Sequence, residues 1–238
     1  MQDGSFYSTE SHTVYQTDPI PALGPAHARN LIQSSSKRIA DLATCGGPAD
    51  SLLGRLYARP SLRELVRACT GLPRLHLSAC PFNAAYYNAY APGDGLGWHF
   101  DRSAFGVCVV LQSPGAGGRF EFHHSTRSAA AGTEAEAEGA KSELEAEFRR
   151  VEAIVSGTDR QGVVAVEGTG PGSLVVFAGR ESLHRVSPVT SAPPRVNAIL
   201  TYEALPDQRP GPYSLARFFG RAPDGARIRP LGDAPAAV

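Results

Sequence analysis

Residues 98–101 read Trp98-His99-Phe100-Asp101, which places a histidine and an acid two positions apart. In an extended strand, residues i and i+2 point to the same face, so His99 and Asp101 would present an imidazole and a carboxylate to one point. One further histidine would complete a two-histidine, one-carboxylate facial triad, which leaves adjacent coordination positions of Fe(II) open. The pair alone is a weak motif, because chance also produces this spacing. Residues further along the chain decide its meaning.

Two downstream residues supply what the pair lacks. His184 follows the apolar run 174–177 and a turn at 179–182, and it begins a new β-type run. Arg195 lies eleven residues later and opens another apolar run. Burying a guanidinium among such neighbours is unfavourable unless a carboxylate forms an ion pair with it. An anionic ligand would provide that partner. We predict a metal site at His99, Asp101 and His184, with Arg195 as an anion-binding residue.

Short β-type runs separated by turn residues surround these positions. The chain holds 25 Gly and 19 Pro, and they fall largely between the runs. The predicted strands are 75–79, 84–91, 105–112, 118–123, 162–167, 173–178, 184–189 and 195–203. Eight short strands with turns between them predict a mainly β fold with flanking helices, built on a double-stranded β-helix core of the jelly-roll, cupin-like type.

Residues 1–74 are predicted to form an N-terminal arm followed by helices that pack on this core. The apolar spacing indicates helical segments over 31–42 and 52–56. A third helix would begin at Ser61, with Glu64 three residues later completing a capping box. The first 25 or so residues show little periodicity and read as an extended arm.

The catalytic core is predicted to span 75–204, with 205–238 forming a C-terminal helix and tail. Residues 126–160 interrupt the strands with a tract of small and acidic residues, followed by apolar positions at helical spacing. We interpret 126–160 as a helical insertion that lies on the barrel, either as a lid or as surface decoration.

Composition excludes several classes of function. The 23 Lys and Arg balance the 23 Asp and Glu, so no net charge attracts a phosphate backbone, and we expect no nucleic-acid partner. No apolar run approaches the ~18 residues of a membrane span, and the N-terminus lacks a secretory pattern. The four cysteines form no CxxC pair and are expected to be reduced thiols. We therefore expect a soluble, cytoplasmic protein without a membrane partner; its oligomeric state is not readable from the sequence.

The pattern around the predicted ligands resembles that of the Fe(II)/2-oxoglutarate-dependent dioxygenases. Within that family it is similar to a subgroup of free-amino-acid hydroxylases related to the radical amino-acid halogenases. Besides the metal-site residues, the matching motifs are Asn88-x-Tyr90-x-x-Gly93-Asp94, Gly117-Gly118-x-Phe120-Glu121-Phe122, His184-Arg185-Val186-x-Pro188-Val189, Arg195-x-Asn197 and Phe218-Phe219-Gly220-Arg221. The resemblance covers roughly residues 75–221.

The resemblance implies roles for the matching residues. His99, Asp101 and His184 would hold Fe(II), and Arg195 would pair with the distal carboxylate of 2-oxoglutarate, with O2 as the second co-substrate. Further cavity contacts are expected from two sets of residues. The expected contacts to 2-oxoglutarate are Asn88 and Tyr90, for which barrel packing is the alternative. Those to the substrate are Asn197, Arg102 and Trp98, and for Trp98 packing is the favoured alternative.

The activity that the resemblance implies is oxidation of an unactivated C–H bond of a free amino acid or similar small molecule, with release of succinate and CO2. Such a reaction suits specialised metabolism. Hydroxylation is the simplest outcome, and desaturation or ring closure are the others. The related halogenases carry Gly or Ala at the position of Asp101, whose carboxylate leaves no place for a halide. Two alternatives stay open: an oxygenase that acts on a protein or nucleic-acid residue, and a catalytically silent jelly-roll module that binds a metal or an anion.

Overall fold

The computed structural model of the chain describes residues 5–124, 126–127, 134–226 and 228. The strands are β1 Phe6–Thr13, β2 Ile32–Asp41, β3 His76–Leu77, β4 Ala85–Tyr90, β5 Gly95–His99, β6 Phe105–Gln112, β7 Ala116–Gly117, β8 Phe120–His123, β9 Val163–Ala165, β10 Leu174–Phe177, β11 Leu183–Val186, β12 Val189–Ser191 and β13 Arg195–Glu203. The α-helices are α1 Gly47–Asp50, α2 Leu52–Tyr57, α3 Pro60–Thr70, α4 Pro81–Ala84, α5 Glu134–Ser156 and α6 Pro212–Phe219, and short 3-10 helices lie at Pro21–Leu23 and Ala28–Asn30.

Most strands belong to one antiparallel sheet of 11 strands that wraps around a central cavity. Its main path runs β10-β6-β13-β4-β2-β5-β11-β8-β9, with β1 on β2 and β3 on β13. Strand β2 joins the first half of this path, which ends at β4, to the second half, which begins at β5. Arg38 of β2 pairs with Ala89 of β4, and Ser35 of β2 pairs with Leu96 of β5. Residues from both halves line the same cavity. This arrangement is the predicted mainly β jelly-roll with flanking helices.

Each of the eight predicted strands overlaps an observed one. The helix predicted over 31–42 is wrong, because β2 occupies this segment. Ser35, Lys37 and Ile39 are buried while Ser36 and Arg38 between them are less so, which is the two-residue alternation of a strand. Two of these inward positions carry polar side chains, so the alternation was hidden from a hydrophobicity pattern.

Helices α2 and α3 confirm the helical prediction for 52–56 and for the segment after Ser61. The capping box is wrong, since α3 begins at Pro60, its N-cap is Arg59, and no side chain caps it. Proline suits the first position of a helix, because its missing N–H would have no intrahelical partner there. Gly71 ends α3 in the left-handed conformation, as its sequence position indicates.

Helix α5 lies between β8 and β9, within the segment interpreted as an insertion. Val151 and Ile154 near its C-terminal end are buried in a cluster that includes Trp98, Phe100 and Leu183. This end of α5 therefore supports the strands that carry His99 and His184. Residues 128–133 of the insertion lie outside the described residues.

Helix α6 follows the last strand. Leu215, Phe218 and Phe219 of α6 pack with Cys80, and this face of α6 closes one side of the cavity. All four cysteines are free thiols. Over the described part of the chain, no helix has both the length and the apolar character needed to cross a membrane.

Candidate metal centre and its cavity

Two adjacent strands bring the predicted metal ligands together. His99 on β5 lies opposite His184 on β11, with ring centroids 4.2 Å apart. The Asp101 carboxylate faces both rings: Oδ1 lies 3.4 Å from His99 Nε2, and Oδ2 lies 3.6 Å from His184 Nε2. One ligand atom from each residue falls within 4.8 Å of the others. Three donors thus surround one point at the end of the cavity.

Backbone carbonyls orient both imidazoles for metal binding. His99 Nδ1 lies 2.9 Å from the carbonyl oxygen of Gly97, and His184 Nδ1 lies 2.9 Å from that of Ser182. A carbonyl only accepts, so each Nδ1 carries the proton and donates it. Each Nε2 then keeps its lone pair on the side of Asp101, which is the outer-shell arrangement of metal-bound histidines.

The electrostatics of the three residues suit a metal. Burial lowers the pKa of His99, and the neighbouring His184 lowers it further. Burial alone would raise the pKa of Asp101, but the interaction with the neighbouring His184 and His99 imidazoles outweighs it and holds that pKa far below its usual range. Asp101 is therefore ionised, and the cluster offers nitrogen and carboxylate donors.

Gly179 completes the metal-site architecture. The Asp101 N–H donates to the carbonyl oxygen of Gly179 at 2.8 Å, and a Cβ on residue 179 would overlap Asp101 Oδ2. Only glycine leaves space for the carboxylate here. The sequence marked Gly179 as a turn residue, but nothing in the pattern indicated this contact.

Arg195 is a buried cation without an anionic partner. Its Nη2 donates only a weak contact to Cys108 Sγ at 3.9 Å, and its Nε has no hydrogen-bond partner. Throughout the described residues, no acid forms an ion pair with it. Arg195 itself is not among the residues that line the cavity, but its contact Cys108 is. An unpaired buried guanidinium is costly, and an anion reaching past Cys108 would remove the cost.

Four other predicted residues line the cavity with the metal ligands: Asn88, Tyr90, Asn197 and Arg102. Asn197 lies opposite Asn88 in the β13–β4 register. The Oδ1 atoms of both asparagines lack a hydrogen-bond donor in the described structure. Buried polar atoms normally have partners, so these two acceptors are further signs of a ligand site.

Trp98 does not reach the cavity, so the expected substrate contact is wrong. Its side chain is buried in the cluster with Val14 and Phe100, and the Arg185 guanidinium lies 4.8 Å from its ring centre. Adjacent residues of a strand point to opposite faces, so Trp98 faces away when His99 faces the cavity.

Lys37 is a cavity residue that the sequence interpretation missed. Its side chain lines the cavity, only 4% of the residue is exposed, and its Nζ lies 5.8 Å from the ring centres of Tyr86 and Phe218. Burial lowers the pKa of Lys37 to about 8, with the charge of Asp101 opposing the change. A helix prediction for 31–42 gave no reason to place Lys37 in a site.

No protein-family model and no curated protein matches the chain. Solved structures do match. An oxidoreductase of the 2OG-Fe(II) oxygenase family from Burkholderia pseudomallei is 14% identical, with a TM-score of 0.42 over 63% of this chain and 56% of that one. AviO1 from Streptomyces viridochromogenes is 18% identical, with a TM-score of 0.49 over 76% and 72%.

A third similar structure is EctD from S. alaskensis with 2-oxoglutarate and 5-hydroxyectoine. It is 21% identical, with a TM-score of 0.45 over 76% of this chain and 65% of that one. The chain spans little more than half of the Burkholderia protein. Identities of 14 to 21% with TM-scores below 0.5 transfer no activity, so the residues of the site carry the functional argument.

Proposed function

We propose that the chain is an Fe(II)- and 2-oxoglutarate-dependent oxygenase that oxidises an unactivated C–H bond of a free amino acid or similar small molecule. The observation that carries the proposal is the convergence of His99 Nε2, His184 Nε2 and the Asp101 carboxylate in one cavity. Hydroxylation is the simplest outcome for such an enzyme.

The donor set fits Fe(II). Two imidazoles and one carboxylate are the ligands of the facial triad, and the carbonyls of Gly97 and Ser182 hold the imidazoles in the required tautomer. When bound, iron and 2-oxoglutarate would supply the oxidant, with succinate and CO2 as the other products. The residues of the chain fix the position of the metal relative to the substrate, and this position selects the carbon that reacts.

Arg195 provides the matching partner for 2-oxoglutarate. Its planar guanidinium can donate two parallel hydrogen bonds to a carboxylate, which a lysine ammonium cannot do. The distal carboxylate of 2-oxoglutarate would replace the weak contact of Arg195 Nη2 with the Cys108 thiol. It would also accept a hydrogen bond from Arg195 Nε, which has no partner. Asn88 and Asn197 lie on the same pair of strands, and their unpaired Oδ1 atoms can accept from a donor group of a bound substrate.

The position of the site favours a small molecule as substrate. The metal ligands lie inside the sheet wrap, with His99 and His184 both buried, and Phe218 and Phe219 of α6 cover one side. A small ligand suits such an enclosed site, whereas a protein or nucleic-acid segment would need an open groove.

A screen of free amino acids for substrate-stimulated succinate release tests the proposal, followed by the mass of each product. We expect one or more amino acids to raise succinate release in the presence of Fe(II), and a product that gains one oxygen or loses two hydrogens. Asp101→Ala is the matched inactive control. Turnover by Asp101→Ala at the wild-type rate would show that the metal site is wrongly placed, and a chain without any Fe(II)-dependent succinate release would be a silent binding module.

A further inference from the structure

The cavity region holds two buried cations that lack an ion-pair partner among the described residues. Arg195 lies on β13 and Lys37 lies on β2, with β4 between them in the sheet. Two strand spacings separate the backbones of these residues by roughly 10 Å, and of the two only Lys37 is among the residues that line the cavity. The proposed function provides an anion for Arg195 only. Lys37 needs a separate explanation.

Two aromatic rings attract the Lys37 ammonium, but no ion pair compensates its charge within the described ranges. Its ammonium faces the rings of Tyr86 and Phe218, and no acid there forms an ion pair with it. The acidic influence on it is that of Asp101, whose carboxylate is already committed to His99 and His184. A buried charge without a partner destabilises a fold, and proteins retain such costs mainly at functional sites.

The other charges that line the cavity leave a basic substrate without a partner. Arg102 lies in the cavity wall and has the same sign as Lys37, and Asp101 is the single carboxylate among the described lining residues. An ammonium group on a substrate side chain would therefore find no free acid to pair with, whereas a carboxylate would find Lys37. The cavity selects by charge for an acid and against a basic side chain.

We propose that Lys37 binds the carboxylate of the substrate, and that this substrate is a small carboxylic acid without a cationic side chain. The proposal rests on the proposed function where 2-oxoglutarate occupies Arg195. It narrows the substrate class, because the unpaired Oδ1 atoms of Asn88 and Asn197 can accept from one α-ammonium group, whereas a second ammonium on a lysine-like or ornithine-like side chain would find no carboxylate in the cavity wall.

The scarcity of lysine makes a direct test practical. The chain has only two lysines, Lys37 and the exposed Lys141 on α5. Protein labelled with 13C at lysine Cε therefore gives two NMR signals, and Lys141→Arg identifies which one belongs to Lys37. Zn(II) serves as a diamagnetic substitute for Fe(II), and the protein is first saturated with 2-oxoglutarate.

Hexanoate and hexanamide are the first pair of probes, since they share a shape and differ in charge. We expect hexanoate to shift the Lys37 signal in a saturable way and hexanamide to bind at least tenfold more weakly. L-norleucine and L-lysine are the second pair, and L-norleucine should bind at least tenfold more tightly. By calorimetry, Lys37→Met should weaken hexanoate binding at least tenfold, while Lys141→Met should not change it.

Three results would overturn the inference: equal binding of hexanoate and hexanamide, a Lys37 signal that no acid shifts, or tighter binding of L-lysine than of L-norleucine. The inference would also be overturned if 2-oxoglutarate alone shifted the Lys37 signal fully and Arg195→Met left 2-oxoglutarate binding unchanged. These two results would identify Lys37 as the residue that binds the co-substrate. Failure of the proposed function can be told apart from failure of the Lys37 inference. The first would appear as absent binding of Fe(II) and 2-oxoglutarate, and the binding of hexanoate and hexanamide can still be compared in metal-free protein.

Discussion

Gly179 packs directly against the carboxylate of Asp101, and its carbonyl oxygen accepts the Asp101 N–H at 2.8 Å. The contact links the turn before β11 to the second residue after β5. The strand that carries His184 and the loop that carries Asp101 are thus held in register by backbone contact. A glycine far from Asp101 in sequence therefore sets the position of a metal ligand.

Gly179→Ala should displace the Asp101 carboxylate and weaken Fe(II) binding by roughly 10–100-fold, the usual effect of losing an outer-shell contact. Gly170→Ala is the matched control, since a Cβ at Gly170 meets nothing within 4 Å and should leave Fe(II) affinity unchanged. Anaerobic Fe(II) titration measures both. Equal affinities in the two variants would show that the Gly179 contact does not position the ligand.

Arg195→Met should raise the dissociation constant of 2-oxoglutarate by roughly 10–100-fold, because charge-assisted hydrogen bonds are lost. Arg195→Lys should recover only part of the affinity, since an ammonium keeps the charge but not the planar fork. Anaerobic titration of the Fe(II)-loaded variants with 2-oxoglutarate measures the series. Full affinity in Arg195→Met would assign the distal carboxylate to another residue.

The sequence predicted the parts of the fold that follow hydrophobic patterns. Strands such as β6 and β13, which each carry several buried apolar residues, were located correctly, as were His99 and Asp101, whose spacing is local. Strand β2 was missed because Ser35 and Lys37 occupy inward positions where a pattern expects apolar residues. Lys37 was therefore invisible as a cavity residue, since polar side chains at inward positions of β2 break the pattern that reveals a strand.

The other features that the sequence did not predict depend on tertiary packing. The contact of Gly179 with Asp101 depends on two loops from distant parts of the chain meeting, which no local pattern encodes. Trp98 packs in the core, the favoured alternative to a substrate contact, because strand geometry sends it to the face opposite that of His99. Its partners Val14 and Ile154 come from the residue after β1 and from α5, and only the folded structure brings them together.

Lys37→Met should stabilise the ligand-free protein at pH 7, because an apolar side chain of similar length replaces a buried ammonium without an ion pair. We expect a gain of about 2 kcal/mol and a rise in Tm of about 4–8 °C. Thermal melts of the two proteins measure the change, with Lys141→Met as the exposed control. A lower Tm in Lys37→Met would indicate that the ammonium has a stabilising partner.

The stability difference between wild type and Lys37→Met should shrink as the pH rises. The pKa of Lys37 is about 8 in the folded protein, against the ordinary lysine value of 10.5 expected for the unfolded chain, so the unfolded chain binds more protons between these values. Wild-type stability therefore increases relative to the variant from about pH 8 to about pH 10.5. Tyr86 and Asp101, which also face this region, are present in both proteins.

Urea unfolding at pH 7 and pH 10 measures this difference. We expect the gap in unfolding free energy to fall by more than half at the higher pH. A gap that stays constant or grows would show that Lys37 does not lose its proton in this range.

The most direct test of the metal site is an anaerobic titration of the chain with Fe(II) in the presence of 2-oxoglutarate, followed by visible absorption. We predict one Fe(II) per chain and a charge-transfer band that requires both components. His99→Ala, Asp101→Ala and His184→Ala should each lose the band. Stoichiometric binding and an intact band in any of these three variants, or no band in the wild-type protein, would contradict the assignment of His99, Asp101 and His184 as the iron site.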